Sequence, residues 1–582
     1  MPGLSGCINA PDPALAAERM TAAMHFGGWL TAAPPFSDAR VAAGRTSTGT
    51  VGPTRAPVTA GGVHLWVEGE FYAPAAAAAD AGPFDEAVAR AMIAAYRAGN
   101  LEAFLHRLDG YFCAALYDPG AGRVILITDR YGMRPLYLSA QGRRVAWASA
   151  VRGLLALDWV ESRVDTDAVR TFLDIGHFLA DRTWFEGVRL LPPASTITID
   201  VESGAREQAY YWKWSAIRPS GLAFDDAVDA TVEAMRTAVA RRFQPDGRTG
   251  MTLSGGYDSR MIFAAANEIA PEYIGYAYTF GPDTADDVRI ARRVAARSPW
   301  RHEVFRLDPD RWLDQRHEQV WLTDGMKNLM HMHGSDHVNE VHRHMAINLN
   351  GYLGGTVSAA SHLAKAGVRN QRITPAIARR YYGEHVRDEW VEDDFYDIDH
   401  IEPFLFMNRG RRHINMGTVN VLHALDQRKP YFDNDYVELM MSLPDEYRIN
   451  RRLFGAAVMR AFPRFFRDIP WQETGRTLRW PNWTAPFFAL TVKATRVPAR
   501  FGIGPDWRNY ADYRRWIRRP VVARRLAELL DPTCARYRQH FADDFRARWL
   551  DPHLAHRHID HSERILRCAT VEIYLRQLEK VR

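Results

Sequence analysis

Up to about residue 212 the apolar residues come in short runs between turn residues, and past residue 222 they come at helical spacing with occasional fully apolar strands. In the first part His64 to Val67, Tyr111 to Tyr117, Val124 to Ile127, Leu136 to Leu138 and Thr196 to Ile199 are bounded by Gly, Pro and Asp, which is the signal of β-strands. Two helices are expected among them, near 84–97 and 100–107, and the alanine-rich stretch 73–82 is of low complexity and reads as a surface loop. In the second part the pattern predicts a helix over 224–243, a strand from Gly250 to Leu253, a helix, a strand from Tyr276 to Phe280, and a helix over 286–297. Strands alternating with helices imply a parallel sheet that binds its ligand at the carboxyl ends of the strands. No internal repeat is present.

One such end carries the most telling stretch of the chain, Met251-Thr252-Leu253-Ser254-Gly255-Gly256-Tyr257-Asp258-Ser259-Arg260. A strand runs into a small-residue turn and then directly into a helix. Gly255 and Gly256 allow close approach of the backbone to an anion, Ser254 and Ser259 add hydroxyl donors, and the helix aims its free N–H groups and positive dipole end at the same point. Asp258 would repel a phosphate unless a cation stands between them, which marks it as a magnesium ligand. The pattern differs from GxxxxGK[ST], which serves the β and γ phosphates through a lysine. It resembles the SGGxDS loop of enzymes that cleave ATP between the α and β phosphates.

A chain of 582 residues is too long for one core and suggests two or more domains. A net charge of +5 is small for this length and gives no reason to expect nucleic acid. Cys7, Cys113, Cys534 and Cys568 lie far apart without a CxxC pair, arguing against zinc and against a disulfide framework. Neither an export signal nor a membrane span is legible, so a soluble cytoplasmic protein is expected.

Both halves resemble the asparagine synthetase family. Met1-Pro2-Gly3-Leu4-Ser5-Gly6 is similar to the Met-Cys-Gly-Ile-x-Gly that opens its glutaminase domain, Glu68-Gly69-Glu70-Phe71-Tyr72 to Asn-Gly-Glu-Ile-Tyr, and Leu108-Asp109-Gly110-Tyr111-Phe112 to LxGxF. Asp129-Arg130-Tyr131-Gly132-Met133-Arg134-Pro135-Leu136-Tyr137 is similar to D-R-x-G-x-[KR]-P-L-Y, and Lys429-Pro430-Tyr431-Phe432-Asp433 with Leu443-Pro444 to R-x-P-F-L-D and its LP helix. The resemblance implies an α/β protein with an N-terminal glutaminase-like αββα sandwich over 1–212 and, over 213–582, a largely helical synthetase domain around a parallel sheet. It assigns ATP and Mg²⁺ as cofactors, Leu253, Ser254, Gly255, Gly256, Asp258, Ser259, Phe280, Gly281, Asp287 and Gly351 to the nucleotide, and Asp258 to the metal.

The departures bear on function. Glutamine-using members place a nucleophilic cysteine where this chain has Pro2, and an oxyanion-stabilising asparagine where it has Glu68. Cys7 is internal, in an apolar strand pattern, and reads as core. The sandwich is therefore expected to be an inactive scaffold, and the attacking amine to come from solution or from the substrate. The latter is the logic of β-lactam synthetases and lasso peptide cyclases. Asn350-Gly351-Tyr352-Leu353-Gly354-Gly355 resembles the Gly-Tyr-Gly-Ala-Asp of β-lactam synthetases, whose tyrosine helps deprotonate the amine. Tyr352 is the matching residue, with Glu384 or Glu389 as its expected partner, while Gly355 replaces a magnesium-binding aspartate. Ala456 and Ala457 stand where a lysine would neutralise the phosphate, so Arg451, Arg452 or Arg260 is expected to supply that charge.

The histidines His331, His333, His337, His342 and His344 read as cleft or surface residues rather than a metal site, and the Trp- and Arg-rich region 471–518 as a covering segment, in line with a peptide substrate. The expected function is an AMP-forming amide ligase acting on a peptide or small carboxylate. A lasso peptide cyclase working with a precursor peptide and a protease is preferred over an ammonia-dependent asparagine synthetase, and a β-lactam synthetase comes third. A nucleotide-binding regulator is the reading outside enzymes. Neither nucleic acid nor membrane is expected as a partner.

Overall fold

The computed structural model describes residues 1–26, 28–72, 84–366, 370–391, 398–500 and 510–580; the whole low-complexity stretch 73–82, and Trp507, lie outside these. The chain forms two compact units, the first made of Met1–Ala216, Trp321–Lys327 and Gln371–Asp426, the second of Ile217–Val320, Asn328–Asn370 and Gln427–Arg582.

The first unit is built on two antiparallel sheets. In one, Gly3–Ile8 lies between Val41–Ser47 and Arg144–Ala148. In the other, Val63–Tyr72, Asp109–Asp118, Arg123–Thr128, Ser195–Asp200 and Arg206–Tyr210 follow one another across the sheet. Side chains of both sheets, among them Leu4, Val41, Trp66, Leu126 and Trp147, share one buried core, as in a sandwich. Helix Pro13–Met24 packs on the first sheet and helix Phe84–Arg97 on the second, giving the expected αββα layering. Gly6 is needed here, because a Cβ at that position would lie 2.3 Å from the Trp147 ring. The strands read from alternation are present within a few residues of their expected ends. Strands Gly3–Ile8 and Val41–Ser47 are fully or almost fully buried and rich in small residues, so they carry no alternation that would reveal them.

Two later segments complete this unit through buried ion pairs. Arg134 meets Asp426 at 2.6 Å and Arg152 meets Asp324 at 3.3 Å, and the Asp324 carboxylate also accepts the backbone N–H groups of Val151 and Arg152. Asp129 folds its own motif, accepting the N–H groups of Tyr131, Met133 and Arg134.

The second unit holds a five-stranded sheet in the order Arg301–Phe305, Tyr276–Phe280, Thr249–Thr252, Ile347–Leu349, Asp426–Arg428. Thr249–Thr252 is parallel to both of its neighbours, and Tyr276–Phe280 is parallel to Arg301–Phe305. The central strands are almost wholly buried, and their polar members are paired inside the sheet, Asn348 accepting the Thr252 N–H at 2.8 Å. Helices Phe224–Arg242, Tyr257–Ile269 and Asp286–Ala295 fall where helical spacing places them. Among the described residues no helix is long and apolar enough to cross a membrane.

Candidate active site

The sheet delivers its central strand into the turn Ser254-Gly255-Gly256, and helix Tyr257–Ile269 begins at once. Leu253 is tied down on the neighbouring strand, its N–H donating to Tyr278 O at 2.9 Å and its carbonyl accepting the Thr279 hydroxyl at 2.6 Å. The turn then closes on itself. Ser254 N–H donates to Ser259 Oγ at 3.2 Å, the two serine hydroxyls are 3.0 Å apart, and Gly256 N–H donates to Ser254 Oγ at 3.2 Å. Gly255 N–H donates to Asp287 Oδ1 at 2.7 Å, and Gln472 donates to the other Asp287 oxygen at 2.6 Å. Burial pushes the Asp287 carboxyl up to about 6, against the pull of these two donors.

Asp258, in the first turn of the helix, points its carboxylate at Arg451, with Oδ1 at 3.2 Å from Nη1. Burial raises its pKa, and Arg451 together with the Gly355 N–H opposes the rise. Its backbone carbonyl accepts the Tyr431 hydroxyl at 3.0 Å, which gives the Pro430-Tyr431 motif a place in the site.

The second strand neighbour leads into Asn350-Gly351-Tyr352-Leu353-Gly354-Gly355, which crosses the start of the same helix. A Cβ on Gly351 would lie 2.7 Å from Ser259 N, and one on Gly354 would lie 2.7 Å from Asp258 Cβ, so only glycine permits this approach. Tyr352 is 38% exposed as a residue, while desolvation of its hydroxyl raises the pKa. Its hydroxyl has no hydrogen-bond partner among the described residues. Glu384 and Glu389 are exposed and belong to the first unit, and the loop, Asp258 and Tyr352 come together within the second. Across the sheet, the Phe280-Gly281 turn is covered by Tyr510, whose Cα would be 3.2 Å from a Cβ on Gly281.

Arg260 has a different place from the catalytic one expected of it. It is fully buried and donates to the carbonyls of Gly255 at 3.1 Å, Ile469 at 3.1 Å and Pro470 at 2.8 Å. The guanidinium also lies over the rings of Tyr257 and Phe466, and burial lowers its pKa to about 10. It is a positioning residue that braces the loop from behind. Arg452 stacks on Phe224, 4.2 Å from the ring centre. Of the three candidate cations only Arg451 reaches the acid of the loop. Beside it opens a cavity of about 1180 Å³, lined by Tyr257, Ser361, Arg452, Trp471, Arg476 and Trp480 as well as Arg451.

Sequence reasoning did not find Gln472, Tyr510 or Tyr278. Only Tyr431 stood in a quoted motif. The histidines are aromatic packing residues: His333 stacks near Phe280 and Tyr510, His337 against Phe305, and His344 against Tyr276. Among the described residues no three of His, Cys, Asp and Glu converge to hold a metal. A magnesium site of protein acids alone does not fit; Asp258 offers one carboxylate to an ion that arrives with a nucleotide.

In the sandwich, the two positions expected to depart from glutamine-using relatives are Pro2 and Glu68. Pro2 has no nucleophile. Glu68 is fully buried and held by Arg45, Nε to Oε2 at 3.0 Å, while Arg45 also reaches Ser47 Oγ at 3.2 Å. Cys7 lies in the central strand with its thiol pushed up to about 12 by burial, which leaves no thiolate at neutral pH.

A glutamine amidotransferase domain matches residues 86–212 and an asparagine synthase domain matches residues 230–404. A layered amidotransferase-type unit followed by a synthase unit around a parallel sheet is thus the class that fold and site define. Both matches are domains found together in asparagine synthetases, and the chain is similar to that family over these two stretches. It is 27% identical over 249 residues to the carboxyethyl-arginine β-lactam-synthase of Streptomyces clavuligerus, covering 42% of this chain and 45% of that one. It is 22% identical over 474 residues to a putative glutamine-hydrolysing asparagine synthetase of Mycobacterium tuberculosis, covering 67% of this chain and 72% of that one. It is also 25% identical over 257 residues to the amidase chyE of Penicillium rubens, covering 40% and 36%. The chain spans less than half the length of the first and last of these relatives.

Proposed function

We propose that this protein is an ATP-dependent ligase that adenylates a carboxylate, releases pyrophosphate, and passes the acyl group to an amine that is not drawn from glutamine. The observation that carries this reading is the contrast between the units: an intact Ser254–Ser259 turn on a parallel sheet with Asp258 and Arg451 at its mouth, and a sandwich with Pro2 where glutamine-using relatives carry a cysteine and with Glu68 committed to a buried pair with Arg45. The helix N-terminus and the serine hydroxyls bind the phosphates, Arg451 and Asp258 set the charge beside them, and Tyr352 at the glycine crossing faces the acyl group as a proton acceptor for the amine. A magnesium ion carried by the nucleotide supplies neutralisation of phosphate charge. Adenylation is needed because oxide is a poor leaving group and AMP a good one.

Among substrates, a peptide whose α-amine closes on an Asp or Glu side chain, as in lasso peptide cyclases, is favoured by the cavity of about 1180 Å³ beside the loop, which exceeds what aspartate needs. The alternative, an ammonia-dependent asparagine synthetase, is the reading a small substrate would favour. Pyrophosphate release is measured with ATP and three acceptors: free aspartate plus ammonium, a β-amino acid derivative, and a linear peptide encoded beside the gene. Release with the peptide, accompanied by loss of one water from its mass, supports cyclisation. Release with aspartate and ammonium alone replaces it by the alternative. Absence of release with all three removes the ligase reading.

A further inference from the structure

We propose that Arg451 is the resident cation of the nucleotide loop, doing at Asp258 what an acid at position 355 and a second metal ion would otherwise do; this rests on the ATP-dependent reading above. A Cβ on Gly355 would lie 3.5 Å from Asp258 Oδ2 and 3.1 Å from Arg451 Nη2, so a side chain at 355 would project into the space that the guanidinium borders. With a carboxylate there, two acids would face each other and only a divalent ion would balance them. With glycine there, the Asp258 carboxylate has the Arg451 guanidinium as its counter-charge without a protein-held metal.

The guanidinium is held in place for this task. Asn450 and Arg451 both take left-handed backbone angles, φ 57° and φ 61°, which turn the chain back toward the loop. Trp471 and Phe454 then flank the guanidinium, their ring centres 4.7 Å and 5.7 Å from Cζ. Nη1 binds Asp258 while Nη2 lies toward Gly355, so the planar fork keeps donors for a phosphate oxygen. A guanidinium cannot be chelated away. The protein is therefore expected to take up one divalent ion per nucleotide, the one the nucleotide brings.

The test counts Mn²⁺ bound to the full chain by electron paramagnetic resonance, with and without the non-cleavable analogue α,β-methylene ATP. The expected result is no tight ion without the analogue and one per analogue with it; Arg451→Lys keeps one, and the double variant Gly355→Asp with Arg451→Ala gains a second. Two ions per analogue in the unaltered protein overturn the proposal, as do ions bound without nucleotide or a folded double variant that still binds one. Should the double variant misfold by circular dichroism, Arg451→Ala alone decides: analogue affinity is expected to fall about tenfold at saturating Mg²⁺, and unchanged affinity overturns the proposal. Failure of the unaltered protein to bind the analogue at all overturns the nucleotide reading and this inference together, whereas two ions per bound analogue overturn this inference alone.

Discussion

Replacing Asp287 by Asn tests whether the nucleotide loop is held at a cost in stability. Asp287 is a buried carboxylate whose pKa stands at about 6 against an ordinary 3.8, with desolvation the dominant cause. A carboxyl whose folded pKa is raised favours the native state fully below pH 3.8 and loses that contribution as pH rises through 6. The difference amounts to about 3 kcal/mol against the fold at neutral pH. Asn keeps the shape and an acceptor for the Gly255 N–H, and Gln472 can turn its amide to accept from the new Nδ2. The pKa of about 6 already includes the pull of both donors, so the net expectation is a variant more stable than the parent by about 3 kcal/mol at pH 8, a gain that falls away as pH drops through 6 toward 4. Urea unfolding of both proteins across this range, followed by tryptophan fluorescence, measures the difference while cancelling every other titrating group. A difference that stays constant from pH 4 to pH 8 would refute the argument, because it would mean that Asp287 titrates alike in the folded and unfolded chain. Stabilisation with weakened nucleotide binding would mark the carboxylate as kept for function rather than for the fold.

Glutamate release from glutamine is expected to stay at background with or without ATP, and Glu68→Asn is expected not to restore it, since Pro2 still supplies no nucleophile; turnover that survives Cys7→Ala would count against this. Arg260→Ala should lower stability by about 3 kcal/mol or more by removing a buried guanidinium that three carbonyls depend on, read as a shifted urea midpoint, and Arg260→Lys should recover only part of it; wild-type midpoints in both would place the loop's support elsewhere. Tyr352→Phe removes one oxygen that the protein leaves without a partner, so acyl-adenylate formation should persist while the amide fails. Positional isotope exchange in ATP reports the first step alone, and its loss in this variant would assign Tyr352 to the nucleotide instead.

The loop was legible because an anion cradle restricts residue types at consecutive positions: small residues for close approach, hydroxyls as donors, an apolar strand before and a helix after. The helices at 84–97 and 224–242 were legible from their spacing. The Asp258–Arg451 pair was not, since its members are 193 residues apart and meet through two left-handed residues that nothing in Ile449-Asn450-Arg451 signals. Arg451 and Arg452 are equivalent by sequence, and only the turn sends one to the loop and the other to Phe224.

The two returning segments of the first unit have a consequence for how the protein is made. Arg134 and Arg152 are buried, and their carboxylate partners are Asp426 and Asp324. While the ribosome has delivered only the sandwich strands, both guanidinium groups lack those counter-charges, and desolvating an unpaired cation is expensive. The unit therefore cannot close on its final form until synthesis has passed Asp426. At about 5–20 residues per second, that is a wait on the order of 10–40 seconds after Ala216 emerges. A fragment ending near residue 212 would lack both carboxylates, leaving Arg134 with only Glu68 and Glu70 and Arg152 without Asp324, and is expected to be less stable than the same residues in the intact chain.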